Sequence, residues 1–323
     1  MHPFTKRRSD SVAALGEQRL IAAIRGWLGT ASPPAPFGIG DDCAVIAPAR
    51  DRQLLTVDPV IYGRHFDDSV PPEAVGAKLL KRNLSDIAAM GGRPTAAVIA
   101  LTLDPRVSLA WLEGFYRGLA ACARRYRVPI VGGDVAEARG ALAASLTLLG
   151  AVTGKRAVTR NGARWGDLIF VTGKLGGSVR SGHHYTFQPR LAEGAWLAHR
   201  PEVVAMMDIS DGLAKDLWSL TPKVGRLVPK TPRSTPPTIV PALNPKALPR
   251  RRGASLRDAL CDGEDYELVV ALDRKTDRAA FERAWRRAFP RLPLTCIGRF
   301  VHQNDLPPDA IHISDYRGYE HLG

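Results

Sequence analysis

Short apolar runs that end in Asp or Gly, each alternating with a helical pattern, constrain this chain more than any other feature. "QLLTVD" (53–58), "TAAVIALTL" (95–103), "VPIVGGD" (128–134) and "ALAASLTLLGAV" (141–152) read as strands. Between them, one helix runs to about Met90 and stops at Gly91-Gly92. A second covers "SLAWLEGFYRGLAACARRY" (108–126). An earlier helix is expected over 11–28, with Leu15, Leu20, Ile24 and Leu28 on one side. "CAVIAP" (43–48) reads as a strand paired with "QLLTVD". Near residue 155 the pattern restarts with "DLIFVTG", "AMMDISDGL", "DYELVVAL", the helix "KTDRAAFERAWRRAF" and a last strand "TCIGRFV". Strands and helices mixed in both halves predict an α/β (α+β mixed) chain of two domains, 1–153 and 154–323. The length of 323 residues is also long for one core.

Composition narrows the function classes. No apolar run reaches the roughly 18 residues of a membrane span. The start, "MHPFTKRRSD", lacks the apolar core of a signal peptide, so a cytoplasmic location is expected. The four cysteines are far apart and form no CxxC pair, which argues against a thiolate zinc site. The net charge of +13 raises the question of nucleic acid. Residues 223–252 hold eight Lys or Arg, seven Pro and no acid, and read as an extended, irregular surface segment. No aromatic residue interleaves those charges as base stacking would want, so a nucleic-acid partner is not expected.

The acids sit beside glycines and small residues at strand ends. Asp41 and Asp42 follow "GIG", Asp58 ends "LLTVD", Asp86 lies in "NLSDIAAMGG" and Asp134 follows "VGG". In the second half, Asp208 and Asp211 lie in "MMDISDG", and Glu264 in "DGEDYEL". Asp beside Gly is also ordinary turn chemistry. Carboxylates gathered at strand ends in both halves nevertheless suggest a shared cleft, where cations would relieve their repulsion. Oxygen donors without His or Cys favour Mg²⁺, and Mg²⁺ favours phosphate substrates. Neither a P-loop nor the protein-kinase motifs occur.

"FGIGDDCAVI", "TVDPVIYGRHF", "KRNLSDIAAMGGRP", "VGGDVAEARG", "AVTRNGARWGDLIFVTGKLGGS", "MMDISDGLAKDL", "CDGEDYEL" and "TCIGRF" occur in this order. Together they resemble the thiamine-monophosphate kinase family. That family belongs to the ATP-binding superfamily that also holds aminoimidazole ribonucleotide synthetase and selenophosphate synthetase. The resemblance implies transfer of phosphate from ATP to thiamine monophosphate, giving thiamine diphosphate. It implies an aminoimidazole ribonucleotide synthetase-like fold whose N-terminal sheet domain makes a homodimer and whose C-terminal domain closes over the nucleotide. It further implies that Asp41, Asp58, Asp86, Asp134, Asp208 and Asp211, helped by Asp42, hold several Mg²⁺ ions. Gly133, Asp134, Arg160 and Ser210 would touch ATP; His65, Glu264 and Tyr316 would touch thiamine monophosphate. No residue is required as a general acid or base.

Departures from the family pattern fall partly on the acceptor side. Val57 stands where Thr is common, Pro59 follows "TVD", "GGDVAE" lacks two hydroxyls, and Asp262 replaces a small residue. The segment from Ser178 to Met206 is short and carries its own "GHHYTFQPRLAEGAWL", whose histidines read as loop residues. Two other readings therefore stay open. One is an enzyme of the same superfamily with a different phosphate or amide acceptor. The other is a non-catalytic scaffold that binds ATP or nucleic acid.

Overall fold

The computed structural model describes residues 1–34, 37–39, 44–46, 51–222 and 238–319. The chain divides into two compact units, Met1–Ile87 with Gly92–Val152, and Ala88–Gly91 with Thr153–Gly323.

In the first unit, α1 (Glu17–Leu28) precedes β1 (Gln53–Ile61), α2 (Pro72–Ala89), β2 (Gly92–Leu103), α3 (Leu109–Tyr126), β3 (Ile130–Glu137) and β4 (Leu142–Val152). The sheet order is β1-β4-β2-β3. β4 runs antiparallel to both β1 and β2, whereas β3 is parallel to β2 and reaches it through the crossover helix α3. Pro72 occupies the first turn of α2, where its missing N–H costs nothing. Ser108 caps α3 by accepting the Trp111 N–H. A methyl group on Gly76 would lie 1.9 Å from the Phe115 carbonyl, and one on Gly118 the same distance from that of Glu73. The two helices thus touch backbone to backbone, which brings α2 close enough to bury Leu79, Leu80, Leu84 and Ile87.

Among the described residues, one face of this sheet is left largely open, with Ala44 and Ile46 beside it. Leu55 (69% exposed), Val57 (61%) and Ile61 alternate along β1 with buried Leu54 and Val60. In register with them stand Leu149 opposite Leu55 and Thr147 opposite Val57, and exposed Val98 follows beyond Thr147 on β2.

The second unit holds β5 (Leu168–Thr172), α4 (His183–Thr186), α5 (Leu191–Ala198), β6 (Val203–Asp208), α6 (Leu213–Leu220), β7 (Ile239–Leu243), α7 (Leu256–Cys261), β8 (Leu268–Leu272), α8 (Arg278–Ala288) and β9 (Leu294–His302). Its sheet order is β6-β8-β5-β9-β7. Every residue of β8 is buried, because both faces of the sheet are covered. One core packs Leu213, Leu217 and Leu260 from α6 and α7; the other packs Leu197, Phe281 and Trp285 from α5 and α8.

Several expectations change. The first helix begins at Glu17, and two short 3-10 turns occupy 8–14. Residues 44–46 form no strand, and β1 pairs with β4 instead; Cys43 and residues 47–50 lie outside the described residues. The segment 223–252 is not irregular throughout. Residues 223–237 lie outside the described residues, but 239–243 form the edge strand β7, where Pro241 is tolerated. Arg251, read as a surface charge, turns inward and pairs with the fully buried Asp265. Among the described residues, no helix is long and apolar enough to cross a membrane.

Candidate functional site

In the first unit, a cavity of about 630 Å³ opens between α1, α3 and the β2–β3 edge of the sheet. Ile21, Ile24, Arg25, Tyr116, Ile99 and Ile130 line it, with Gly133 and Asp134 at its rim. A methyl group on Gly133 would lie 2.2 Å from the Ile99 carbonyl, so the strand needs glycine there. A cavity that mixes isoleucine and tyrosine walls with Gln18, Arg25, a carboxylate and bare backbone suits a flat heterocycle joined to a phosphate chain.

On the opposite edge, β1 and α2 bring other acids together. Thr56 Oγ1 donates to Asp86 Oδ2 at 2.5 Å, and Arg82 Nε lies 3.6 Å from Asp58 Oδ2. Asn83, wholly buried between them in sequence, donates to the Leu79 carbonyl at 2.9 Å. Its Oδ1 has no hydrogen-bond partner among the described residues. A buried, unsatisfied amide oxygen on the helix that carries Asp86, with Asp58 on the strand that helix contacts, supplies hard oxygen donors of the kind that fits Mg²⁺. His65 closes the turn after β1: its Nδ1 accepts the Ile61 N–H at 3.1 Å, and its carbonyl accepts from buried Lys78 at 2.7 Å. Asp134 is not brought to this cluster, because β3 and β1 are opposite edges of the sheet. Asp41 and Asp42 lie outside the described residues.

In the second unit, two loops form a ladder. Ile209 N–H donates to the Glu267 carbonyl at 2.8 Å, Glu264 N–H to the Ser210 carbonyl at 2.7 Å, and Tyr266 N–H to the Ile209 carbonyl at 2.8 Å. The expected nucleotide residue Ser210 and acceptor residue Glu264 are thereby neighbours. Glu264 and Tyr266 both take positive φ, 64° and 50°, a strained conformation for side chains of this size. Asp211 contacts Lys215 at 3.0 Å, and Asp208 is nearly buried at the end of β6. Asp216 accepts the backbone N–H groups of Ser210 and Asp211. Burial, with the negative charge of Asp208 next in weight, pushes its carboxyl up to about 8. Tyr316 packs on the α6–α7 core, and three residues on, Tyr319 N–H donates to the Asp211 carbonyl at 2.8 Å. Arg160 is exposed on the loop before β5. Among the described residues, no group of three His, Cys, Asp or Glu side chains converges as a metal site.

Comparison with known proteins decides the family. Residues 40–155 match the family model described as AIR synthase related protein, N-terminal domain. The thiamine-monophosphate kinase of Salmonella typhimurium is 34% identical, covering 96% of this chain and 99% of its own. The chain belongs to the thiamine-monophosphate kinase family. Among solved structures, the thiamine-monophosphate kinase from Stenotrophomonas maltophilia K279a superposes with a TM-score of 0.70 at 28% identity, over 87% of this chain and 93% of that one. AaThiL complexed with AMPPCP and TMP gives 0.67 at 27% identity, over 99% and 100%.

Within this thiamine-monophosphate kinase family member, sequence reading missed several residues that the structure draws in. Tyr116 and Ile24 carry helical periodicity that marks them as core, which conceals their place in the cavity wall. Asp216 was hidden as one more acid on an amphipathic helix. His183 and His184 are not loop residues but form the start of α4, and both face the 264–265 loop.

Proposed function

We propose that this chain transfers the γ-phosphoryl group of ATP to thiamine monophosphate, giving ADP and thiamine diphosphate. The Glu264–Ser210 hydrogen bond carries this reading, because it joins the residue assigned here to the acceptor to one assigned here to the nucleotide. Family membership supports it, as does the complex of AaThiL with AMPPCP and TMP.

The acceptor is itself a phosphate whose second pKa is near about 6, so it is largely ionised at neutral pH and needs no general base. The work left to the protein is to hold two polyanions in line. In this reading the base of ATP enters the cavity lined by Ile24 and Tyr116, and Gly133, Asp134, Arg160 and Ser210 hold the remainder of the nucleotide. His65, Glu264 and Tyr316 hold the thiamine monophosphate. Asp41, Asp42, Asp58, Asp86, Asp134, Asp208 and Asp211 act as ligands for Mg²⁺, with the Asn83 amide oxygen as a further donor. Bound Mg²⁺ would neutralise the phosphate oxygens and lower the electrostatic barrier between the two substrates.

The open sheet face supports a homodimer. Leu55, Val57, Ile61 and Val98 form an apolar surface of the kind that a second copy covers. Use of ATP as donor supports a cytoplasmic location.

Incubating the protein with ATP, Mg²⁺ and thiamine monophosphate, and following thiamine diphosphate by chromatography, tests the reading. Product that disappears without Mg²⁺ supports it. Absence of product from folded, ATP-binding protein would overturn thiamine monophosphate as acceptor.

A further inference from the structure

The short α4 segment addresses the strained loop residue by residue. His184 Nδ1 lies 3.2 Å from Glu264 Oε2. His183 Nε2 lies 3.1 Å from the Asp265 carbonyl oxygen. Phe187 stacks on Tyr266 with ring centroids 3.9 Å apart and planes 18° apart. Three side chains from one segment thus meet three consecutive residues, two of which hold positive φ. From below, the Asp265 carboxylate is fixed by Ser178, Arg251 and the Gly176 N–H. A strained backbone persists where its surroundings over-determine it, and here they do so from both sides.

We propose that His184 is a positioning residue for acceptor binding: it fixes the Glu264 carboxylate in the orientation that receives thiamine monophosphate. The proposal rests on the reading of Glu264 as an acceptor-binding residue. His184 is nearly buried and Glu264 is one-fifth exposed, so the contact orients a carboxylate that still reaches the surface.

Four variants test this: Glu264→Gln, His184→Ala, His184→Asn and the double variant Glu264→Gln/His184→Ala, each with KM for thiamine monophosphate and for ATP measured separately. Asn places an amide donor near the position of the imidazole Nδ1. The expected result is that His184→Ala raises the acceptor KM about tenfold, a change of about 1.4 kcal/mol, with the ATP KM unmoved. His184→Asn restores most of that loss, and the alanine adds nothing once Glu264 is Gln. If Glu264→Gln raises the acceptor KM while His184→Ala does not, or if the two effects add, His184 does not act through Glu264 and the proposal falls. If Glu264→Gln leaves the acceptor KM unchanged, the reading of Glu264 falls and takes the proposal with it. Should the alanine variant fail to fold, His184→Gln replaces it. Its longer side chain carries the donor to the position of Nε2, so an acceptor KM as low as that of His184→Asn would overturn the role given to Nδ1.

Discussion

The Asp216 carboxylate accepts the Asp211 N–H at 2.9 Å and, through the same oxygen, the Ser210 N–H at 3.0 Å. One buried side chain therefore sets the path of the loop that carries the proposed nucleotide and magnesium ligands. Burial and the neighbouring Asp208 push the carboxyl up to about 8, and Asn keeps a side-chain oxygen that can accept both N–H groups. Asp216→Asn should melt within a few degrees of the wild type. Asp216→Ala leaves two part-buried N–H groups without their acceptor and should lose about 2 kcal/mol. Thermal melting of the two variants checks this; equal losses would show that the side-chain oxygen does not organise the loop.

Asp86→Asn and Asp211→Asn should each lower kcat by about 100-fold or more, in the range found when a group that stabilises transition-state charge is removed. Both residues are partly exposed, so the melting temperature should hold. Steady-state kinetics beside calorimetry separates the outcomes, and full turnover in both variants would end their assignment as magnesium ligands.

Ile21 lines the wall of the 630 Å³ cavity without belonging to the buried core. Ile21→Trp should fill the slot and raise the KM for ATP about tenfold, with the acceptor KM constant. A change confined to the acceptor would mean that the cavity does not receive the nucleotide base.

Val57 points away from the helices with 61% of its surface exposed. A lysine there places charge in the middle of the open face and should convert a dimer to monomer, which sedimentation velocity reads directly. A wild type that sediments as a monomer at all concentrations would exclude the dimer outright.

Burial, with nearby Arg251 next in weight, holds His183 down to about 4, against about 6.5 in an unfolded chain. Between those values the unfolded state binds the extra proton, so this group's contribution is intact above about pH 6.5 and is lost as pH falls towards 4. Asp265, pushed up to about 6 by burial, acts in the opposite sense, so a substitution is needed to isolate the imidazole. His183→Gln should lose less melting temperature than the wild type between pH 7 and pH 5. Parallel losses would show that His183 does not titrate in that window.

Strand and helix identities were legible where one side of the element is apolar. β8 and β9 follow directly from "ELVVAL" and "CIGRFV", and α3 from its stripe of Leu and aromatic residues. Of the "CAVIAP" expectation, the described residues 44–46 form no strand, because an apolar run does not name its partner, and the partner seen for β1 is β4. β7 escaped because Pro241 and its basic flanks read as loop, although an edge strand tolerates proline. Arg251 shows the same limit for charge. A sequence counts it with its exposed neighbours, and only the fold reveals that Asp265 waits beneath it. The Ser210–Glu264 adjacency was legible as two motifs, but the ladder joining them depends on residues more than fifty positions apart meeting in space.

The left-handed backbone at Glu264 sets chemistry against durability at a single position. Glycine would adopt that φ without strain and would relieve the loop, yet it carries no carboxylate for His184 to orient. Screens that select variants of this protein for heat resistance alone should therefore drift towards glycine at 264 and recover hardier, slower enzymes.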